Sequence, residues 1–380
     1  MQSYDIDLDR LADFTLRLIG ERSPSGEESG VAKLVYTEME QLGFDVRVDA
    51  WGNVIGTVEA GPGSTLLIDS HTDTVGVTEP GAWTRNPWGE IAGGRIYGRG
   101  SMDMKGPLAA SVYGAAALQG RLTGGRVVVS ASVAEEMVEG PALVEVARQV
   151  SPDYVIICEA TSLRLARGQR GRAEIRVQTH GRPTHSSRPD LGVNAAEAMV
   201  DVAVRLRRIR PPDHPILREG ILVLTDILSQ PYPGLSVVPD ACVATYDRRT
   251  LPGETEKDIL APVREAIQDA LSGSEATGEA GIAEDDFETY TGVRVQAPNF
   301  APAWFFGEDS EIVRRASAGL RRAGIEPILT HYAFCTNGSG TAGRMGIPTV
   351  GFGPGEETLA HRVDESIELD QLLRAARGYA

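Results

Sequence analysis

Several short apolar segments of this chain run directly into an acidic residue or a histidine. LLIDSH ends at His71, VVVSASVA is followed by Glu135 and Glu136, and YVIIC is followed by Glu159. Short apolar segments that alternate with helical segments are typical of an α/β fold, in which helices cover both faces of a mainly parallel sheet. In such folds ligands bind outside the carboxyl ends of the strands. We therefore expect these four side chains to meet in one crevice.

Three further residues belong to the same pattern. Asp103 lies in the glycine-rich stretch GRGSMDMKG before a helix of small residues, and His361 follows the apolar segment PTVGFG. The glycine spacing matches neither G-x-G-x-x-G nor G-x-x-x-x-G-K-S/T, so we expect this stretch to deliver a carboxylate and not to bind a phosphate. Asp73, two residues after His71, is placed to hold the second ring nitrogen of that histidine.

This set of residue types indicates a metal site. Two histidines and several carboxylates suit borderline divalent ions such as Zn²⁺, Co²⁺ or Mn²⁺, whereas Ca²⁺ prefers more oxygen ligands. Five ligands, one of them a shared carboxylate, are enough for two ions that each hold three protein groups and share a water. One carboxylate of the Glu135–Glu136 pair is then free to act as a general base.

The composition excludes several other classes of protein. The chain has 380 residues, and its 37 basic and 53 acidic residues give a net charge of −16, which repels nucleic acids and anionic membranes. Three scattered cysteines are too few for a disulfide framework and indicate a reducing compartment. The first twenty residues lack the features of a signal peptide, and no run of 18 apolar residues occurs. We expect a cytoplasmic protein without nucleic-acid or membrane partners.

The order of predicted elements indicates one domain interrupted by another. After RGQRGR the predicted order is β-α-β-β-α-β, the pattern of a ferredoxin-like unit, and the first α/β pattern resumes near Trp304. We place the boundaries at 1–171 and 299–380 for the first domain and at 172–298 for the insertion. Near the start of the chain, Ser25 and Glu28 form a Ser-x-x-Glu pattern that predicts a capping box for the second helix.

The successive motifs of the chain resemble those of a known family. The motifs are HTDTV, GRGSMDMKG, AEE, CEAT, GRPTHSSRP, GVNAA, YDRRTLPGET and TNGSGTAGRMGIPTVGFGPGEETLAH. In this order they are similar to the motifs of the dinuclear zinc aminoacylase and carboxypeptidase family, which includes acetylornithine deacetylase and succinyl-diaminopimelate desuccinylase. The resemblance covers essentially the whole chain and is greatest to the less well characterised bacterial peptidases of the family.

The resemblance implies the fold of the two domains and the ligands of the metals. A zinc-exopeptidase-like catalytic domain, with a mixed and mainly parallel sheet between helices, is interrupted by a ferredoxin-like α+β lid through which the protein forms a homodimer. Two divalent ions are implied, with Zn²⁺ first and Co²⁺ or Mn²⁺ as alternatives. The implied ligands are His71, Asp103 and Glu159 for one ion, and Asp103, Glu136 and His361 for the other. The peptide bond after Asp103 is expected to be cis.

The resemblance also implies roles in catalysis and substrate binding. Glu135 is the general base, Asp73 orients His71, and His185 of the lid helps to stabilise the oxyanion. Arg249 takes the carboxylate of the substrate, for which the bidentate geometry of arginine is suited. The remaining residues expected to contact substrate are Asn337, Gly353 and Gly355.

The predicted function is that of a metal-dependent hydrolase. A metal-bridged water, with Glu135 as general base, cleaves the amide bond of an N-acyl amino acid or a short peptide with a free carboxylate, as in an aminoacylase, deacetylase or metallopeptidase. Two alternatives stay open: a ureide or carbamoyl amidohydrolase with the same site, and a ligand-binding paralogue without catalysis.

Overall fold

A computed structural model describes residues 4–380, so the first three residues of the predicted range 1–171 lie outside it. The described chain divides into two compact units. The first comprises the residues up to Gln169 together with Asp286–Gln296 and Trp304–Ala380, and the second comprises Arg170–Asp285 and Ala297–Ala303. The predicted boundaries place Asp286–Gln296 in the insertion, whereas this segment groups with the first unit.

The helices and strands of the described residues follow in chain order. The α-helices are α1 Leu8–Gly20, α2 Ser29–Gln41, α3 Lys105–Ala116, α4 Pro141–Val150, α5 Ala195–Leu206, α6 Glu256–Ala270, α7 Glu311–Arg322 and α8 Leu369–Tyr379. The strands are β1 Asp45–Val48, β2 Val54–Glu59, β3 Thr65–His71, β4 Glu90–Ala92, β5 Arg95–Tyr97, β6 Arg126–Ser132, β7 Tyr154–Ile157, β8 Leu165–Gln169, β9 Gly171–His180, β10 Thr184–His185, β11 Asp213–His214, β12 Arg218–Glu219, β13 Ile221–Gln230, β14 Val237–Val238, β15 Ala241–Thr250, β16 Thr277–Ile282, β17 Glu284–Glu288, β18 Arg294–Pro298, β19 Phe300–Ala301, β20 Trp304–Phe305, β21 Leu329–Tyr332, β22 Thr349–Gly351 and β23 Ser366–Glu368. Short 3₁₀ turns lie at Pro80–Ala82, Pro189–Leu191 and Glu357–Leu359, and a π-helical segment lies at Ser339–Arg344.

A mixed sheet forms the centre of the first unit. Its strand order is β1-β2-β6-β3-β7-β22-β8-β20, and β21 pairs with β8. The central strands β6, β3, β7 and β22 run parallel, while β1, β2 and β20 pair antiparallel towards the edges. Because side chains alternate along a strand, Ile68 and Val129 pack under α1, α2, α3 and α8, whereas Leu67 and Val128 pack against α4. The predicted sheet between two layers of helices is confirmed.

The second unit has the predicted ferredoxin-like topology. The elements β9, α5, β13, β15, α6 and β16 follow one another along the chain, and the antiparallel sheet has the order β13-β15-β9-β16. Asn194 caps α5 by accepting hydrogen bonds from the amides of Ala196 and Glu197. Thr255 and Asp258 form a capping box at the start of α6. Apolar residues of both helices pack on one face of this sheet.

One local prediction in the first unit is wrong. Although Glu28 immediately precedes α2, it makes no side-chain capping bond, so the predicted Ser25–Glu28 box does not form. Ser25 Oγ instead donates to Asp73, and Glu28 accepts from the amide of Ala134. Both side chains are recruited by groups at the carboxyl ends of the strands, where the sheet no longer provides partners for buried polar groups.

The three cysteines are free and buried, as predicted. Within residues 4–380 none of the helices has the length and apolar character that crossing a membrane requires.

Candidate metal centre

The parallel strands of the first unit deliver the predicted residues to one place. β3 ends at His71, the residues after β6 include Glu135 and Glu136, and Glu159 lies two residues after β7. β3 pairs with both β6 and β7, so these strand ends are adjacent. The structure brings Asp103 and His361 to the same cluster from the loops before α3 and after β22.

The two oxygens of Asp103 face two different histidines. Oδ1 lies 3.1 Å from His71 Nε2, which is also 3.4 Å from Glu159 Oε1. Oδ2 lies 3.2 Å from His361 Nε2, which is also 3.1 Å from Glu136 Oε1. The cluster therefore consists of two half-sites that share one carboxylate. The Asp103–Met104 peptide bond is cis, as expected.

The donor atoms are close enough together for cation binding. One ligand atom each from His71, Asp103 and Glu136 lie within 4.8 Å of one another, and so do those of His71, Glu135 and Glu159. Among residues 4–380 the two histidines are the cationic partners of these carboxyl groups. Four crowded carboxylates with so little positive charge repel one another, so the residues fit divalent cations.

The protonation of the cluster reflects this crowding. Burial, together with the neighbouring carboxylates, raises the pKa of Glu135 well above its ordinary value. Burial and the charge of Asp103 raise the pKa of Glu159 to about 7. Burial lowers the pKa of His71, but Glu135 and the other carboxylates more than offset it and raise that pKa well above its usual value. Hydrogen bonds with Asp103 and Glu136 raise the pKa of His361 to about 10. Without cations the cluster holds protons that bound metal would displace.

Asp73 connects the histidine to the glutamate pair. Its backbone carbonyl lies 2.9 Å from His71 Nδ1. A carbonyl only accepts, so Nδ1 carries a proton, and it is Nε2 that would lose its proton and offer a lone pair to a bound cation. The Asp73 carboxyl accepts the amides of Glu135 and Glu136 at 3.1 and 3.0 Å and the Ser25 hydroxyl at 2.6 Å. These donors and His71 hold the pKa of Asp73 below its usual range, although burial alone would raise it.

A model of the peptidase family M20/M25/M40 matches residues 67–380. The chain belongs to this family. It is 32% identical to the protein YgeY of Escherichia coli K12 over 392 residues, covering 100% of this chain and 94% of that protein. It is 29% identical to succinyl-diaminopimelate desuccinylase of Caulobacter sp. K31, covering 69% of this chain and 71% of that protein. The aminopeptidase PepT of Bacillus cereus has the same fold, with a TM-score of 0.76, 20% identity and coverage of 98% and 97%.

Membership confirms the resemblance found in the sequence. As a member of family M20 the chain is a metallohydrolase, and the family acts on small peptides or acyl amino acids. The expected α/β fold is also that of the family.

Three residues that the sequence assigned to substrate binding lie in the interior of this M20 chain. Asn337 is 2% exposed, its Nδ2 donates to Asp69 and Ser132, and its Oδ1 accepts from the amide of Gly140. A Cβ at Gly353 would lie 2.1 Å from the carbonyl oxygen of Cys158. Gly355 has φ of +88°, and a Cβ there would lie 2.5 Å from Met102 Cγ. In this structure these positions support the loops around the cluster, and their contact with substrate stays a prediction.

The other two predicted residues lie in the second unit. His185 is exposed, and its Nδ1 accepts hydrogen bonds from the backbone amide and the hydroxyl group of Ser187, which leaves the proton of the neutral ring on Nε2. Arg249 Nε lies 2.8 Å from Asp247 Oδ1. Their roles towards oxyanion and substrate carboxylate stay predictions.

Residues that the sequence analysis did not identify hold the strands and loops that carry the cluster. Asp69 is buried and accepts from Ser130, Ser132 and Asn337. A signal was present, since an acid two residues before His71 in an apolar strand lies on the same face. Glu28 and Asn53 bind the backbone next to Glu135, and no spacing in the sequence identifies that contact.

Proposed function

We propose that this M20-family chain hydrolyses the amide bond of an N-acyl amino acid or a short peptide with the help of two divalent cations. The observation that carries the proposal is the division of the Asp103 carboxylate between two half-sites. His71, Asp103 and Glu159 would hold one cation, and Asp103, Glu136 and His361 the other. Zn²⁺ suits this mixture of imidazole and carboxylate, with Co²⁺ and Mn²⁺ as alternatives. When bound, the two cations polarise the substrate carbonyl and lower the pKa of the attacking water.

Glu135 is the general base in this proposal. Glu135 is 7% exposed, and its Oε2 lies 3.9 Å from His71 Nε2, farther than the oxygens of Asp103 and Glu159, which lie at 3.1 and 3.4 Å. It accepts a proton from the attacking water and returns it to the leaving nitrogen. Burial raises the pKa of Glu135, and a carboxylate with a raised pKa is the stronger base.

The second unit would supply the substrate contacts. Arg249 binds the free carboxylate of the substrate, and Asp247 holds the guanidinium group in place. His185, with its proton on Nε2, donates to the oxyanion.

We also propose that the protein forms a homodimer through the second unit. β13 is an edge strand, and its exposed apolar side chains include Val223, Leu224, Ile227 and Leu228. An exposed apolar edge strand readily pairs with another chain, and a second copy of the same strand satisfies its free backbone groups. A cytoplasmic location and the absence of nucleic-acid and membrane partners stay predictions.

The replacement Glu135→Gln tests the proposed function. We expect it to keep both cations, measured by elemental analysis, while kcat on N-acetyl amino acids or dipeptides falls by roughly 10²- to 10⁴-fold, because the amide cannot take the proton. The matched control is Glu38→Gln, which alters a buried carboxyl of α2 that is bonded to Tyr113 and Arg17.

The substrate panel also decides between the alternatives. Full activity of Glu135→Gln would contradict the role of Glu135. Turnover of N-carbamoyl substrates alone would favour a ureide or carbamoyl amidohydrolase. Binding of amides without turnover by the metal-loaded wild type would favour the non-catalytic paralogue.

A further inference from the structure

The backbone that carries Glu135 and Glu136 is held by hydrogen bonds that four consecutive backbone amides donate to side-chain oxygens. β6 ends at Ser132, and beyond it the sheet no longer supplies the acceptors for these amides. The bonds are Val133 N–H to Asn53 Oδ1 at 3.0 Å, Ala134 N–H to Glu28 Oε1 at 3.1 Å, Glu135 N–H to Asp73 Oδ1 at 3.1 Å, and Glu136 N–H to Asp73 Oδ2 at 3.0 Å. Side chains from three segments that are distant in sequence, Asn53, Glu28 and Asp73, thus accept hydrogen bonds from four successive amides.

The second of these amides belongs to a residue in an unfavourable conformation. Ala134 is buried and has φ of +56°, in the left-handed region, which is unfavourable for a residue with a Cβ. This turn sets the direction in which Glu135 leaves the end of β6. A hydrogen bond to its amide therefore stabilises a conformation that alanine does not prefer.

Glu28 reaches Ala134 from a loop that is itself bound to the residues after β3, the strand adjacent to β6. Ser23 Oγ donates to the carbonyl of Thr72, the amide of Thr74 donates to the carbonyl of Ser23, and Ser25 Oγ donates to Asp73. Glu28 is completely buried. Burial, with the charge of Asp73, raises the pKa of Glu28 to about 7. Burial of a carboxyl group costs free energy, and the hydrogen bond from the Ala134 amide offsets part of that cost.

We propose that Glu28 is a positioning residue, which holds the Ala134 turn through its hydrogen bond to the backbone amide and so aims Glu135 and Glu136 at the cluster. Asn53 supports the preceding amide in the same way. The inference rests on the proposed roles of Glu135 and Glu136, on which Glu28 acts through the backbone.

Two substitutions of Glu28 separate positioning from folding. Glu28→Gln keeps an oxygen that accepts the Ala134 amide, and we expect kcat within about threefold of wild type, with KM unchanged. Glu28→Leu removes the acceptor, and we expect kcat to fall about 10- to 100-fold at nearly constant KM, as a small misplacement of a catalytic group does. The matched control is Glu38→Leu, which removes a buried carboxyl from α2 and should lower stability without lowering the kcat of the folded protein.

The double variant Glu28→Leu with Ala134→Gly provides a rescue. Glycine adopts positive φ without the penalty of alanine, so this variant should recover part of the kcat that Glu28→Leu loses. If Glu28 contributed only to stability, folded Glu28→Leu would keep the kcat of wild type, and Ala134→Gly would have no loss of kcat to restore.

Hydrogen exchange supplies a readout that does not depend on activity. Peptides that span residues 130–138 should exchange faster in Glu28→Leu than in wild type, Glu28→Gln or Glu38→Leu. Unchanged exchange in this segment, or unchanged kcat in Glu28→Leu, would overturn the positioning role. A wild type that hydrolyses none of the substrates would refute the proposed function, and the exchange data would still decide whether Glu28 holds the turn.

Discussion

His71 can offer Nε2 to a cation because the Asp73 carbonyl occupies its other ring nitrogen. The Asp73 carboxyl, whose Oδ1 lies 3.3 Å from the same ring nitrogen, accepts the amides of Glu135 and Glu136. One residue thus fixes both the tautomer of the histidine and the backbone of the two glutamates. The carboxyl group binds both amides, so replacement of the Asp73 side chain should shift Glu135 and Glu136 together.

The pH dependence of stability gives a prediction for Glu28. Burial raises its pKa from 4.5 to about 7, so the folded protein binds this proton more tightly than the unfolded chain does. Its contribution to the free energy of unfolding is complete below pH 4.5 and is lost as the pH rises to 7, a change of about 3 kcal/mol. Glutamine does not titrate, so Glu28→Gln should gain stability relative to wild type between pH 5 and pH 8 in urea unfolding. A constant difference across this range would show that Glu28 ionises normally.

Among the described strands, β13 lies at the edge of its sheet and pairs there with β15. Its neighbour β15 is buried on alternate residues, whereas most of β13 is exposed. Edge strands of monomers usually carry charges that prevent association, and the run ILVLTDIL contains one, at Asp226. The element therefore has the character of an interface.

A lysine on β13 should separate the proposed dimer. Leu224→Lys places a charge on the edge strand, and we expect the mass measured by light scattering to fall from that of two chains to that of one. Val48→Lys is the matched control, since Val48 is 44% exposed on the edge strand β1 and Leu224 is 40% exposed. Equal masses for wild type and Leu224→Lys would contradict a dimer through β13.

At the scale of the molecule, part of the −16 charge is concentrated in one cluster. The carboxyl groups of Asp103, Glu135, Glu136 and Glu159 surround two histidines of the first unit. Bound divalent cations would offset this local charge, so metal binding and the stability of the first unit should be coupled.

Removal of metal should therefore destabilise the first unit. At a free concentration one hundred times the Kd, a bound cation adds about 2.7 kcal/mol, so chelation should lower Tm by roughly 5–10 °C. Hydrogen exchange should increase around residues 71, 103 and 135, with little change in the second unit, and added Zn²⁺ should reverse it. A Tm that does not respond to chelation would argue against resident cations.

Much of the fold and the set of candidate residues could be predicted from the order of residues alone. Apolar segments that end at His71, Glu135 and Glu159 predict parallel strands. The carboxyl ends of parallel strands lie at the same edge of a sheet, so the residues that follow them are expected to lie close together. The ferredoxin-like order of the insertion is likewise a property of local hydrophobic periodicity. The local pattern misled at Ser25 and Glu28, where a capping box and a tertiary contact need the same residue types.

The tertiary structure alone decided which oxygen faces which partner. The family resemblance of the sequence implied that Asp103 is shared between the group of His71 and the group of His361. No pattern in the sequence indicated that Glu28, Asn53 and Asp73 bind four successive amides. Asn337 likewise proved to be a buried link between Asp69 and Gly140. The physical reason is that hydrophobic periodicity indicates which face of an element is buried. Hydrogen bonds between distant segments require donor–acceptor distances that are correct to a few tenths of an ångström, and these distances are set only when the segments pack.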